Sequence, residues 1–391
     1  MSSKSRKILL AVLAVLFLAF LINQARGLSH AASFSPDKLL AAIRSANIYY
    51  LALALALIYI CYGIRSLRWQ VFQRNLGAAH YRNILTMTIA GFGAIFLLGR
   101  AGEPVRPLLI ARKEKLPVAG IFGVYILERL FDAASTAVIA AVALILFQAQ
   151  AHTGETAARL EAAARTTGTL LFAGILAAIA VLLYLRLHGS LWLESRLAGW
   201  RGTSGWRSAA ARILLGFVGG VQTIQSWSDL FLALFYSGIH WFFIVLVYYL
   251  SLHSFGGALH DLRLGDAMLV VAFSLVGSAV QLPAVGGGSQ LASFVVLTAI
   301  FNVDAASATV AALVLWVVTF ASAALGGVPL LLREGFSLGQ LRALGQEEKQ
   351  EQAGALPSGS TQATLEELER ELPPPLPAAS HATPPQGDDR E

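Results

Sequence analysis

Six ionisable residues in two short stretches are placed to do chemistry in this sequence, and a third stretch can present bare backbone. The first reads Gly99-Arg100-Ala101-Gly102-Glu103-Pro104-Val105-Arg106. Its two glycines and Pro104 prevent a continuous helix, and the break frees backbone N–H and C=O groups. Two guanidinium groups around one carboxylate can bind a phosphate bidentately, with Glu103 orienting an arginine or taking a proton. A basic loop with incidental ion pairing is the plainer reading. The second stretch, Glu128-Arg129-Leu130-Phe131-Asp132, lies in the middle of the apolar run 118–147. Glu128 is about 15 Å into such a helix. Glu128 and Asp132 are four residues apart and share a face, and Arg129 lies three from Asp132. Charges at that depth need partners, which Arg129 can supply to Asp132, and Arg100 or Arg106 to Glu128. The same residues can line a polar path. The third stretch runs from Gln281 through Pro283, Gly286, Gly287, Gly288 and Ser289 to Gln290. Three successive glycines let a ligand approach the backbone and expose N–H groups at the start of a helix over 289–301. The alternative is a turn needed only to reverse the chain.

The elements that must position these residues are set by composition. Of 391 residues, 56% are apolar and 13% charged, about half the charge of a soluble domain. The mean hydropathy is +0.64. A soluble globule, a disulfide scaffold, a coiled coil and a disordered regulator are excluded, which leaves a polytopic membrane protein. The single cysteine, Cys61, rules out an intramolecular disulfide or a Cys-rich metal site. A span takes about 20 apolar residues. The runs are 8–22, 47–64, 84–99, 118–147, 168–187, 228–251, 265–282, 289–301 and 305–332. The first follows Lys4, Arg6 and Lys7 and reads as an uncleaved anchor.

Charge placement assigns the short runs. Basic residues gather at the N-terminus and in 65–82, 100–115 and 186–212, while 24–46, 148–166 and 252–266 hold few. The first group belongs in the cytoplasm. Both 65–82 and 100–115 can be there only if 84–99 enters the membrane and returns, and 265–301 must dip in from the other side. The sequence therefore predicts an all-α integral membrane protein with six full spans and two re-entrant helical hairpins, about 84–113 and 265–301. Its two halves are inverted repeats, and both termini lie on the cytoplasmic side of the cell inner membrane. Broken segments at corresponding positions of two inverted halves point to a transporter's binding site. Residues 1–335 form the membrane domain. Residues 336–391 form an acidic, Pro-rich tail without fixed structure; from residue 333 onward there are 5 Lys/Arg against 11 Asp/Glu. Trp192, Trp200 and Trp206 interleave with Arg196, Arg201, Arg207 and Arg212 as interfacial helices. Arg65, Arg68 and Trp69 close a span and read as lipid contacts at the interface. His240 and Trp241 fall mid-span, where a lone histidine most often bonds a neighbouring helix.

No nucleotide-binding loop and no metal-ligand spacing occurs, so neither an ATP-driven cycle nor a metal cofactor is expected, and no enzyme activity. Gly287-Gly288-Ser289 with His240 is a poor match to a serine nucleophile and its base.

Arg65-Ser-Leu-Arg68-Trp69, Arg100-Ala-Gly-Glu103-Pro-Val-Arg106, Glu128-Arg129-Leu-Phe-Asp132 and the break from Pro283 to Gly288 follow in this order. Together they resemble the flippase-like membrane domain of the lysylphosphatidylglycerol synthetase family over about residues 5–335. The resemblance implies a lipid-translocating domain with two re-entrant helices, and no aminoacyl-transferase half, because the tail is too short for one. Where relatives show Pro-Gly-Gly-x-Gly-x-x-Glu, this chain has Ala284, Val285 and Gln290 at the two glycine positions and the acid. The expected substrate is a membrane phospholipid or lipid-linked molecule with an anionic headgroup, held by Arg100 and Arg106. In that scheme Glu103 positions the two arginines, and Glu128, Arg129 and Asp132 line the path. Nucleic acid is not an expected partner. The rival is a membrane scaffold for a lipid- or glycan-modifying enzyme, docking a protein through the tail.

Overall fold

The computed structural model describes residue 44 and residues 46–147, 154–188, 226–278, 281–282 and 286–334. The apolar run 8–22, the Trp/Arg segment at 190–222, Pro283 and the acidic tail lie outside these residues. Helices account for almost all of what is described. Helix α1 (Ile48–Gln73) starts at Asn47, whose side-chain oxygen accepts from the Tyr49 N–H at 3.0 Å. Helix α2 (Tyr81–Leu98) ends at Gly99, which has φ of +67°, and a 3-10 turn (Gly99–Gly102) leads to α3 (Val105–Glu114). Pro104 sits just ahead of α3, where its missing N–H costs nothing. Helix α4 (Val118–Leu146) and α5 (Gly154–His188) follow.

The second half begins with α6 (Trp227–His253), whose N-terminus is capped by Ser226. Helix α7 (Leu264–Gly277) leads to a two-residue ladder in which β1 (Gln281–Leu282) pairs antiparallel with β2 (Gly286–Gly287). Helix α8 (Gly288–Ala299) comes next, then α9 (Ala305–Trp316), capped by Asp304. A π-helical turn (Val317–Ala321) joins α9 to α10 (Ser322–Arg333). Among the described residues, five helical stretches are long and apolar enough to cross a membrane: Ile48–Gln73, Tyr81–Leu98, Gly120–Leu146, Trp227–His253 and Ala305–Arg333. Helix α2 is among them, although the sequence suggests that 84–99 is too short; three residues of the preceding segment extend it to 18.

The chain nevertheless doubles back after α2. Gly102 packs against the Ala94 backbone and Arg106 against Gly91, so α3 runs antiparallel along α2. At the far end Glu114 accepts from the Asn83 amide at 2.6 Å and from the His80 N–H at 3.0 Å. The start of α2 and the end of α3 therefore lie together. On that side Arg74, after α1, pairs with Asp229, at the start of α6, and Lys113 pairs with Glu334, after α10, at 3.1 Å. The opposite side holds the start of α1 and the end of α6, joined by Asn47 N–H to the Ser254 carbonyl at 2.7 Å. Gly265, at the start of α7, packs there against Leu146, at the end of α4. Helix α8 returns along α7, with Gly277 against the Gly288 backbone.

Each half thus runs long helix, broken pair, long helix, and the two halves interlock. Helix α1 packs along α6, α10 packs against the α2 arm, and α4 packs against α7. A core around Trp69, Phe72, Ile84 and Leu127 fills one end, and a second around Leu252, Val270, Val296 and Leu315 fills the other. The Lys113–Glu334 pair is partly exposed, so Lys113→Met is expected to cost at most about 1 kcal/mol in thermal unfolding. A larger loss would make this pair a main tie between α3 and α10.

Candidate functional site

Arg65 and Arg68 are three residues apart on α1, and Glu128 and Asp132 four apart on α4, so each helix turns one charged face to the other. Arg65 Nε lies 2.9 Å from Glu128 Oε1, and its terminal nitrogen bonds Asp132. Arg68 Nη2 reaches Asp132 Oδ1 at 2.7 Å and Glu128 Oε1 at 3.2 Å, while its Nη1 donates to Ser237 Oγ on α6 at 3.0 Å. Arg106, in the first turn of α3, closes the cluster on Glu128. Its way in is opened by Gly91, where a methyl group would meet Arg106 Cγ at 2.8 Å and Cα at 3.0 Å. Aromatic rings complete the enclosure. The Arg106 guanidinium is 4.9 Å from the Trp69 ring centroid, and that of Arg65 is 5.3 Å from Phe92, close enough for cation–π attraction.

The ion pairs differ from those the sequence suggests. Asp132 is held by Arg65 and Arg68, while among the described residues Arg129 pairs with Glu128, at 4.0 Å, and lies over the Tyr125 ring. Glu128 does meet Arg106, one of the two partners considered for it. Arg65, Arg68 and Trp69 are not at a lipid-facing surface: all three are buried, the two arginines against α4 and Trp69 against Arg106 of α3. The reason is charge neutralisation, since two carboxylates inside the bundle must find cations there. Arg106 is also fully buried and separated from Arg100, which is exposed. The signal for this pairing was present as two charged i,i+3 and i,i+4 faces on otherwise apolar helices; the partner choice was not.

The cluster forms one wall of a cavity of about 800 Å³, lined mainly by apolar side chains, a size that suits a ligand of a few tens of atoms. Arg65, Arg129 and Asp132 border it from the cluster, and Arg100 and Glu103 from the first break. Ser278, Ser289 and Gln290 border it from the second break, Trp316 from the end of α9, and Thr319 and Phe320 from the π turn. Single π turns inside α-helices recur at functional sites. Glu103 accepts a hydrogen bond from the Tyr125 hydroxyl. Arg100 donates to the Ser278 carbonyl at 3.3 Å, so the tips of the two broken pairs touch. Gly102 serves the first tip by its close approach to Ala94, and Gly286, Gly287 and Gly288 carry the second. Gly287 adopts φ of +135°, and its N–H is taken by the Gln290 side chain. Gln290, which replaces the acid of the resembled motif, thereby caps α8 without bringing a charge to the cavity. Pro283 lies outside the described residues.

Four guanidinium groups (Arg65, Arg68, Arg106, Arg129) meet two carboxylates (Glu128, Asp132), a formal surplus of two positive charges. Arg100 and Glu103 balance each other formally at the break. Among the described residues no group of His, Cys, Asp and Glu is arranged to hold a metal ion.

The family described as Lysylphosphatidylglycerol synthase TM region matches residues 7–327. The chain belongs to that family and is a multi-pass membrane protein of the kind associated with lipid modification and flipping. No curated protein and no solved structure gives a significant match.

Proposed function

We propose that this protein moves a lipid with an anionic, phosphate-containing headgroup between the leaflets of the cell inner membrane, without hydrolysing ATP. The observation that carries this reading is the surplus of positive charge in a largely buried cluster that opens on an otherwise apolar cavity between two helix breaks. A surplus charge within a membrane domain is costly without a counter-ion, and a lipid phosphate supplies one while its acyl chains stay in hydrocarbon. In this reading Arg65, Arg100 and Arg129, which border the cavity, hold the phosphate. Arg106 and Arg68 act behind them, fixing Glu128 and Asp132. The breaks serve as the tips of two re-entrant hairpins entering from opposite sides. The side bearing Arg74, Arg82, Arg112, Lys113 and Lys115 faces the cytoplasm, as basic loops do. Glu128 and Asp132 are tied up by arginines, so Glu103 is the carboxylate left to carry any proton coupling.

Substitution of the two cavity arginines tests the site. Arg129 is 38% exposed as a side chain and only 4.0 Å from Glu128 at its nearest, so its loss leaves the folded state almost unchanged. Arg100→Gln/Arg129→Gln is expected to keep the wild-type melting temperature in detergent. It should slow flipping of a labelled anionic phospholipid in liposomes about 10–100-fold, the loss of charge-assisted bonds worth about 1.5–3 kcal/mol. Unchanged flipping in a well-folded double variant, or no flipping by the wild type, sinks the reading.

A further inference from the structure

The end of the bundle where α10 stops carries a surplus of positive charge. Lys113, in the last turn of α3, holds Glu334 at 3.1 Å, so the chain leaves α10 beside α3. Glu114 accepts from the Asn83 side chain at 2.6 Å, which brings Arg82, one residue earlier on α2, to the same place. Arg112, Lys115 and Arg333 complete the group. Five cations thus surround two carboxylates, a formal surplus of three. Both carboxylates are already taken, Glu334 by Lys113 and Glu114 by Asn83 and His80. Arg82, Lys115 and Arg333 are exposed, and among the described residues none of them bonds a carboxylate.

The chain beyond Glu334 has the opposite balance. Residues 347–371 hold seven glutamates against Lys349 and Arg370, a net charge of −5. They lie outside the described residues. We propose that this acidic segment docks on the basic face formed by Arg82, Lys115 and Arg333. The assignment stands on charge complementarity and tethering, and it does not rest on the proposed function. Glu347 follows Glu334 by thirteen residues, and a coil of that length reaches about 20 Å. The glutamates from Glu366 onward have a reach of about 30 Å on the same scale. Since the tail leaves the fold on this face, both groups of glutamates can return to it. Such a tether holds the segment at an effective concentration on the order of millimolar, where several exposed ion pairs, each weak alone, act together. Anionic lipid headgroups are also drawn to basic surfaces. The tail, however, begins on this one, and Glu334 already makes its first ion pair there. Docked in this way, the segment ties the ends of α2, α3 and α10 together.

Lys115 reports the contact directly. Full-length protein in phosphatidylcholine nanodiscs is treated with a carbodiimide, which joins an amine to a carboxylate only when the two touch, and the joined peptides are read by mass spectrometry. The Lys113–Glu334 join marks a correctly folded α3–α10 end. Lys115 is expected to join glutamates of 347–371 about fivefold more often than Lys4 or Lys7 does, the effect of three or four exposed pairs acting together. Raising salt from about 0.05 M to about 0.5 M should remove most of that excess. Arg82→Gln/Arg333→Gln should remove it too, although Lys115 and every tail carboxylate remain available to react. The salt series needs no variant, which covers a double variant that folds poorly. Joining of Lys115 no more frequent than that of Lys4 and Lys7 overturns the proposal. So does an excess that survives both salt and the double variant. Joins between isotopically labelled and unlabelled copies would give the face to a second copy. Loss of the join when about a quarter of the lipid is phosphatidylglycerol would give it to lipid headgroups. Either result overturns docking of the chain's own tail.

Discussion

Glu128→Gln is expected to destabilise the folded protein by about 3–5 kcal/mol, the range for removing one partner from a buried ion pair. Glu128 is fully buried and receives Arg65, Arg68 and Arg106. Arg65 and Arg68 keep Asp132 in the variant, but among the described residues Arg106 bonds no other carboxylate. The variant leaves its guanidinium buried without a counter-charge, facing a neutral amide and the Trp69, Phe92 and Tyr125 rings. Thermal unfolding in detergent should show a fall far larger than that of Glu103→Gln, which turns one charge-assisted bond from Tyr125 into a neutral one and costs at most about 1 kcal/mol. A double variant, Arg106→Met/Glu128→Met, should recover part of the loss, since the unpaired charge goes with its partner. A Glu128→Gln protein as stable as the Glu103→Gln protein would show that the cluster does not hold α1, α3 and α4 together.

Gly327→Val is expected to cost about 3 kcal/mol, toward the upper end of overpacking penalties. A Cβ at Gly327 would lie 2.7 Å from Gly93 N and Cα, and one at Gly93 would lie 2.7 Å from Val328 N. Those are backbone atoms, so no rotamer change relieves the contact and α10 must move away from α2. Membrane helices that cross this closely depend on small residues for their packing. Helix α10 continues from the π turn bordering the cavity, and α2 carries the first break, so flipping should fall together with stability. Gly123→Ala is the control. Nothing lies within 4 Å of a Cβ placed there, and the change should be neutral or stabilise by about 0.5–1 kcal/mol. Equal melting temperatures for Gly327→Val and wild type would refute the close crossing.

Much of this arrangement could be read from local features. The apolar runs mark the helices because a bilayer admits few backbone conformations. Gly99, Gly102 and Pro104, and the glycines at 286–288, mark the breaks for the same reason. Helix α2 came out longer than its apolar run because Tyr81 and Arg82 are helical without being apolar. Interior charges were evident at Glu128, Arg129 and Asp132, yet Arg65 and Arg68 looked interfacial because they close an apolar run.

What the sequence by itself determined is the set of helices, their breaks and the faces that carry charge, since these follow from spacings of three and four residues. The tertiary structure decided which charges neutralise one another. Arg68 and Asp132 are 64 residues apart in the chain, and they meet only because α1 crosses α4. It also sent Arg106 inward, through the space that Gly91 leaves, and kept Arg100 at the cavity. His240, Trp241 and Tyr62 became cavity-lining groups only when α6 packed along α1. A helical period is fixed by the local backbone, whereas the partner of a buried charge is fixed by where two helices cross.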